Sequence, residues 1–193
     1  SVFTALVVPR PIGWISTIDM NGVVNLAPFS YFNAVAADPP CLMYCPNGPK
    51  KGTADPKDSL SNAEITKEFV FNLCSYELRE EMNKSARHEP RGEDEMAKVG
   101  LPPAPSSNVR PPRIAAAPVA LECKYLQTVS LPSSSFGTDN NMVLGQVVGV
   151  HINDDVITDG ASDIAKIRPI SRLGYLDYSV VEPETVFSMD RPD

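Results

Sequence analysis

Thr17, the run Asn25-Leu26-Ala27-Pro28-Phe29-Ser30, and Phe32 bring small, hydroxyl and aromatic side chains into one short stretch. Small residues let backbone N–H and C=O groups approach a flat ligand. The Thr17 and Ser30 hydroxyls can bond its edge, and Phe29 and Phe32 supply apolar contact. A structural loop after a hairpin accounts for the same residues without any ligand. A second cluster is Lys57-Asp58-Ser59, with Asn62 one turn further on. It stands where a helix is expected to begin. The unpaired N–H groups and positive dipole end of a helix start attract phosphate; Lys57 adds a charge and Ser59 a hydroxyl. Asp58 opposes this unless its carboxylate turns away, for instance to cap backbone N–H groups. An ordinary capped surface helix is the plainer reading. A third candidate is Arg172, in Arg168-Pro169-Ile170-Ser171-Arg172-Leu173-Gly174-Tyr175. It can hold a phosphate bidentately, or pair with a surface carboxylate.

Other chemistries lack their residues. There is no G-x-G-x-x-G run and no phosphate-binding P-loop. His88 and His151 have no Ser or Cys nucleophile near them in sequence, so a hydrolytic triad has no support. Cys41, Cys45, Cys74 and Cys123 show no C-x-x-C spacing and read as buried thiols of a reduced, cytoplasmic compartment. Zinc is not expected. No side chain is singled out as an essential acid, base or nucleophile. Trp14, the sole tryptophan, reads as core, and Glu122 as outward-facing.

The elements that position these residues follow from pattern. Pro9 to Pro40 reads as a hairpin, with strands Ile12–Ile18 and Val23–Ala27 around the turn Asp19-Met20-Asn21-Gly22. Pro28 cannot donate to a ladder, so pairing is expected to stop there. Val2–Val8 is a short apolar run, strand or helix. Cys41–Cys45 reads as a buried strand and Glu68–Cys74 as another. A helix is expected over Asp58–Ile65 with Asp58 or Ser59 as N-cap. Ser75 is expected to cap a helix over Tyr76–Ala86, and Gly100 to stop a short one over Glu95–Val99. Arg87–Asp94 is charged and reads as exposed. Leu101–Pro118, rich in proline, is expected to wrap a surface or cover a site. Val119–Leu131 and Asn141–Asn153 alternate as two long strands of a hairpin. Gly145 and Gly149 share a face there that must bend or meet another backbone closely. Ile164–Asp177 reads as loop or short helix, and the tail to Asp193 as polar.

The chain has 193 residues, 42% of them hydrophobic, and a formal net charge of −7. That suits one sizeable domain, residues 1–193, and disfavours nucleic-acid or anionic-membrane partners. Lys50, Lys51 and Lys57 still allow a local anion site. No stretch is long and apolar enough to span a membrane. The first residue is Ser, so the absence of a signal-type segment carries limited weight. Antiparallel hairpins with few helices predict a mainly β fold, a closed barrel with helical decoration.

The run P-R-P-I-G-W-I-S-T-I-D-x-x-G-x-x-N-L-A-P-F-S-Y-F, followed by D-P-P, resembles the signature of the flavin reductase-like family, the FMN-binding split barrels. The Lys57-Asp58-Ser59 stretch with Asn62, and the late Arg-Leu-Gly motif ending at Tyr175, resemble further family motifs. The resemblance implies an antiparallel Greek-key split β-barrel with a few flanking helices. It places the FMN phosphate at Lys57, Asp58, Ser59 and Asn62. It places the ring at Thr17, Asn25, Ala27, Pro28, Phe29 and Ser30, with backbone groups of Ala27 and Phe29 contributing. It also brings in Arg172, for phosphate or for a nicotinamide cofactor's pyrophosphate. The implied activity is hydride transfer from NADH or NADPH to FMN and electron delivery to an acceptor, in a homodimer. Tyr175 stands where family members often carry a second glycine, which narrows access to the ring. An FMN-binding electron carrier or storage protein, and a non-catalytic interaction module, stay as alternatives.

Overall fold

The computed structural model describes residues 1–192; the polar tail expected to run to Asp193 ends outside them. Seven strands form the main sheet: β1 Gly13–Ile18, β2 Val24–Phe29, β3 Phe32–Ala37, β4 Pro40–Tyr44, β5 Glu68–Leu73, β6 Val119–Leu131 and β7 Asn140–Ile152. Their order is β2-β1-β5-β6-β7-β4-β3, and every pairing is antiparallel. Mainly β architecture is therefore as the sequence predicts. The helices are α1 Val2–Leu6, α2 Asp58–Thr66, α3 Arg79–Ser85, α4 Glu95–Lys98 and α5 Ile164–Ile167. None of the described helices is long and apolar enough to cross a membrane.

The sheet curls on itself. Gly13 of β1 lies against Phe32 of β3; a Cβ there would sit 2.4 Å from the Phe32 ring. On the inner face Ile15, Phe29, Leu42, Tyr44, Phe69 and Val143 pack together, with Leu60 and Ala63 of α2 against them. On the outer face Trp14, Leu26, Met82, Met96 and Ile114 form a second core under α3 and α4. Trp14 is buried as expected and donates its indole N–H to Ser85 Oγ at 2.9 Å. Strand β1 is thus buried on both faces.

The predicted first hairpin is present. Asp19 Oδ1 accepts the N–H groups of Asn21 (2.8 Å) and Val23 (2.9 Å), and Gly22 takes φ +82°. Pairing does not stop at Pro28: Trp14 opposes Pro28 and Gly13 opposes Phe29. The reason is that β2 is an edge strand. The Leu26 N–H leaves the ladder for Glu95, so alternation turns Pro28, of the same parity, outward too. Proline there loses no ladder bond.

The long hairpin β6–β7 is also present, with register shifts at Leu144/Gly145 and Val147/Gly149. A Cβ on Gly145 would meet Phe69 at 2.3 Å, and one on Gly149 would meet Glu122 at 2.6 Å.

Glu122 is not outward-facing. It is fully buried, and accepts bonds from the Ser107 N–H, the Asn108 N–H (2.8 Å), Asn108 Nδ2 (2.8 Å) and His151 Nε2 (2.9 Å). Residues 101–118 wrap over β5 and β6 and cover the face that alternation assigns to solvent. Their backbone, short of internal partners, is held by strand side chains. Glu68 takes the Arg110 N–H at 3.0 Å, and Asn72 takes the Ile114 N–H at 2.7 Å. Cys74 and Cys123 are buried, but Cys41 and Cys45, near a sheet edge, are only half-buried.

Residues 164–177 hold the short helix that the sequence allowed, Ile164–Ile167, and also a strand. Ile170–Arg172 pairs with Arg10–Pro11 on one side and Tyr178–Val180 on the other, making a small three-stranded sheet.

Candidate functional site

A cleft of about 480 Å³ opens between β2, the start of α2, and the loop from α3 to α4. Helix α2 begins at Asp58 as predicted, but its N-cap is Lys57 and not Asp58 or Ser59, and no side chain caps it. Leu60 and Ser61 both donate to the Lys57 carbonyl (3.0 and 3.1 Å). The amides of Asp58 and Ser59 precede the first helical bonds. Asp58 does not cap them: its carboxylate pairs with Lys50 and, at 2.7 Å, with Arg91. These ion pairs neutralise the carboxylate and tie two loops to the helix start.

Among the described residues, two buried side-chain donors at this cleft, Ser59 Oγ and Asn25 Nδ2, have no hydrogen-bond partner; Asp58 Oδ1 has only its ion pair with Arg91. Ser59 is 1% exposed and Asn25 7%. Buried polar groups are normally satisfied, so two orphan donors on one cleft mark a place where a ligand or an ordered water would bond. Lys57 lies beside them with its ammonium 5.8 Å from the centre of the Phe29 ring. Burial pulls its pKa down, so an anion alongside would favour its charged form.

Asn25, Ala27, Pro28, Phe29, Lys57, Asp58 and Ser59 all line this cleft. Thr17 and Asn62 do not. Both are buried, and Asn62 Nδ2 donates to Thr17 Oγ1 at 3.1 Å, bracing α2 against β1 from inside. Ser30 and Arg172 line a neighbouring pocket. The backbone groups of Ala27 and Phe29 turn toward β1, because alternation sets them opposite in sense to Leu26. Sequence reasoning missed Arg87, Arg91 and Glu95, which also line the cleft. The dense charge between Arg87 and Arg91 was the available signal; it reads as solvated surface until α2 is placed against it.

Residues 5–174 match the flavin reductase like domain. The chain belongs to the flavin reductase-like family. A protein of Aquifex aeolicus is 39% identical over 170 residues, covering 88% of this chain and 83% of its own length. Nitrilotriacetate monooxygenase component B from Bacillus cereus superposes with TM-score 0.89 at 26% identity, covering 97% of this chain and 91% of that one. The Pseudomonas fluorescens 2-nitrobenzoate 2-nitroreductase NbaA superposes with TM-score 0.83 at 26% identity, covering 100% and 91%. The curled antiparallel sheet is the split barrel of this family. A flavin is accordingly the ligand class against which the cleft is tested. The orphan donors, the free helix-start amides and the local basic residues suit a phosphate-bearing ligand. The volume lies within the usual range for small-molecule sites, roughly 300–1,000 Å³.

Proposed function

We propose that the protein binds FMN in this cleft and acts as an oxidoreductase, taking hydride from NADH or NADPH and passing electrons to an acceptor. The observation that carries the reading is the pair of buried, unpartnered donors, Ser59 Oγ and Asn25 Nδ2, at a basic helix start. Ser59, the Asp58 and Ser59 amides and Lys57 would hold the phosphate. Asn25, Pro28 and Phe29 would bound the ring, and Thr17 with Asn62 would keep α2 in place behind it. FMN, when bound, supplies the hydride-accepting chemistry; the chain orients it and tunes its surroundings. We include a homodimer in the proposal. It is supported by the exposed apolar side chains of Val2, Phe3, Leu6 and Val7, and light scattering at single-chain mass would remove it.

One observation favours the alternative, an FMN-binding electron carrier. Tyr175 sits in the pocket beside Pro28 and Ser30 at φ +57°, where the resemblance implies a glycine. Anaerobic mixing of the FMN-loaded protein with NADH and with NADPH separates the two readings. Bleaching of the flavin with either supports the reductase; none with both supports the carrier. Binding itself is tested by FMN titration. The Lys57→Ala/Ser59→Ala double variant is expected to bind about tenfold more weakly or worse, with an unchanged far-ultraviolet circular dichroism spectrum. Unaltered affinity would move the phosphate elsewhere.

A further inference from the structure

Strand β4 carries sulfur on the face turned away from the barrel interior. Leu42 and Tyr44 point into the inner core, so alternation turns Cys41, Met43 and Cys45 outward. All three are half-buried. Cys45 Sγ lies 4.0 Å from Met43 Sδ. A third sulfur comes from the neighbouring strand. Val143 of β7 pairs with Tyr44 and faces inward, so Met142 beside it faces outward. Past Tyr44 the chain stays alongside β7. Asn47 Oδ1 accepts the Asn141 N–H at 3.0 Å, and the Gly48 N–H reaches the Asp139 carbonyl at 2.8 Å. Continuing the antiparallel register by one step sets Met142 opposite Cys45 on the same face. Cross-strand neighbours so placed stand roughly 5 Å apart at Cβ.

The spacing and chemistry of these atoms select an ion. Metal–sulfur bonds are about 2.3 Å long, so two sulfurs 4.0 Å apart close on one ion at an angle of about 120°. That is the angle of a three-coordinate site. The donors are one thiol and two thioethers. Soft sulfur ligands of this kind favour Cu(I), whereas zinc takes thiolate, imidazole or carboxylate. Among the described residues no group of three His, Cys, Asp or Glu is placed to hold a metal ion, so the sulfur patch has no competing set of that kind. The other outward cysteine stands apart. Cys41 Sγ donates to the Pro39 carbonyl at 3.4 Å, and the extended strand separates it from Cys45 by roughly 13 Å. Burial pushes the Cys45 thiol up, so it keeps its proton until an ion displaces it.

We propose that Cys45, Met43 and Met142 form a three-coordinate Cu(I) site on the outer face of β4 and β7. On binding, the Cys45 S–H bond breaks and its proton leaves to solvent. A Cu–S bond forms in its place, and each thioether donates a lone pair. Copper enters and stays as Cu(I), so no electron is gained or lost. None of the three residues lines the flavin cleft, and the site stands apart from the flavin reading.

The test is anaerobic titration of the full chain with Cu(I) held by a chromogenic chelator, with copper measured after desalting. The wild type is expected to take one equivalent and release one proton. Its X-ray absorption spectrum should show three sulfur neighbours at about 2.3 Å. Cys45→Ser should lose the tight equivalent. Met43→Leu and Met142→Leu nearly conserve volume. Each should weaken binding about tenfold or more, since even the partners behind metal ligands are worth about 10–100-fold. Cys41→Ser should keep wild-type affinity, which separates this site from copper scavenged by any half-buried thiol. Wild-type affinity in Cys45→Ser, or in the Met43→Leu/Met142→Leu double variant, would overturn the proposal. So would nitrogen or oxygen neighbours in place of the thioethers, or a wild type that yields all its Cu(I) to the chelator.

Discussion

Glu95 shows what a single residue contributes to this cleft beyond contact. It is 6% exposed, and its Oε2 takes the Leu26 N–H at 3.1 Å. Burial pushes its carboxyl up to about 7; the Asp58 charge adds to the rise, and N–H bonds from its own backbone and Leu26 oppose it. In the unfolded chain the group titrates near its ordinary 4.5. Between these values the folded state holds a proton that the unfolded state has lost. Stability from this group is complete below the unfolded value and is lost as pH rises through the folded one. The loss is worth roughly 1.4 kcal/mol per unit of separation. Glu95→Gln keeps an acceptor for Leu26 and has no proton to lose. Urea midpoints of wild type should fall between pH 4.5 and about pH 7 relative to those of the variant. Parallel curves would show that Glu95 does not hold its proton in the folded state.

Among elements, the decisive one is the proline-rich segment at residues 101–118. Burial would push the Glu122 carboxyl up, but bonds from His151, Ser107 and Asn108 outweigh it and hold the group at about 2. Its stabilisation is present above the ordinary carboxylate value and lost as pH falls through about 2. Glu122→Ala removes the shared acceptor of the Ser107 and Asn108 N–H groups, at a cost of roughly 1–3 kcal/mol. The urea midpoint should fall, and hydrogen exchange at Ser107 and Asn108 should quicken. FMN affinity should hold, because the segment does not line the cleft. An unmoved midpoint would mean that the segment is not pinned through Glu122. The same segment marks where pattern reading fails. The β1–β2 and β6–β7 hairpins were legible from alternation, the Asn-Gly turn and the two strand glycines. Glu122 was misplaced because alternation assigns one face of β6 to solvent, and a distant segment without periodicity covers it. The site was legible as far as local pattern reaches, at Asn25 to Phe29 and at Lys57 to Ser59. Arg91, Glu95 and the Arg10–Arg172 pairing were not, since each depends on elements far apart in sequence being brought together.

The whole molecule brings those pieces together. Curling of the sheet, closed where Gly13 meets Phe32, and seating of α2 on the inner core place Asn25 beside Ser59. Residues from β2, from α2 and from the α3–α4 loop share the cleft only once the barrel has formed. An unfolded chain therefore has no comparable site, and ligand binding must add to global stability by mass action. Free FMN at about a hundred times its Kd should add about 2.7 kcal/mol. For a chain of this size that raises Tm by roughly 5–10 °C. Riboflavin has the same ring but no phosphate to engage the α2 start. At equal concentration it should give a clearly smaller shift in wild type. In the Lys57→Ala/Ser59→Ala variant the two flavins should shift Tm nearly alike, since the group that tells them apart has lost its partners. Equal shifts by FMN and riboflavin in wild type would separate ring binding from the α2 start and leave Ser59 Oγ without its proposed partner.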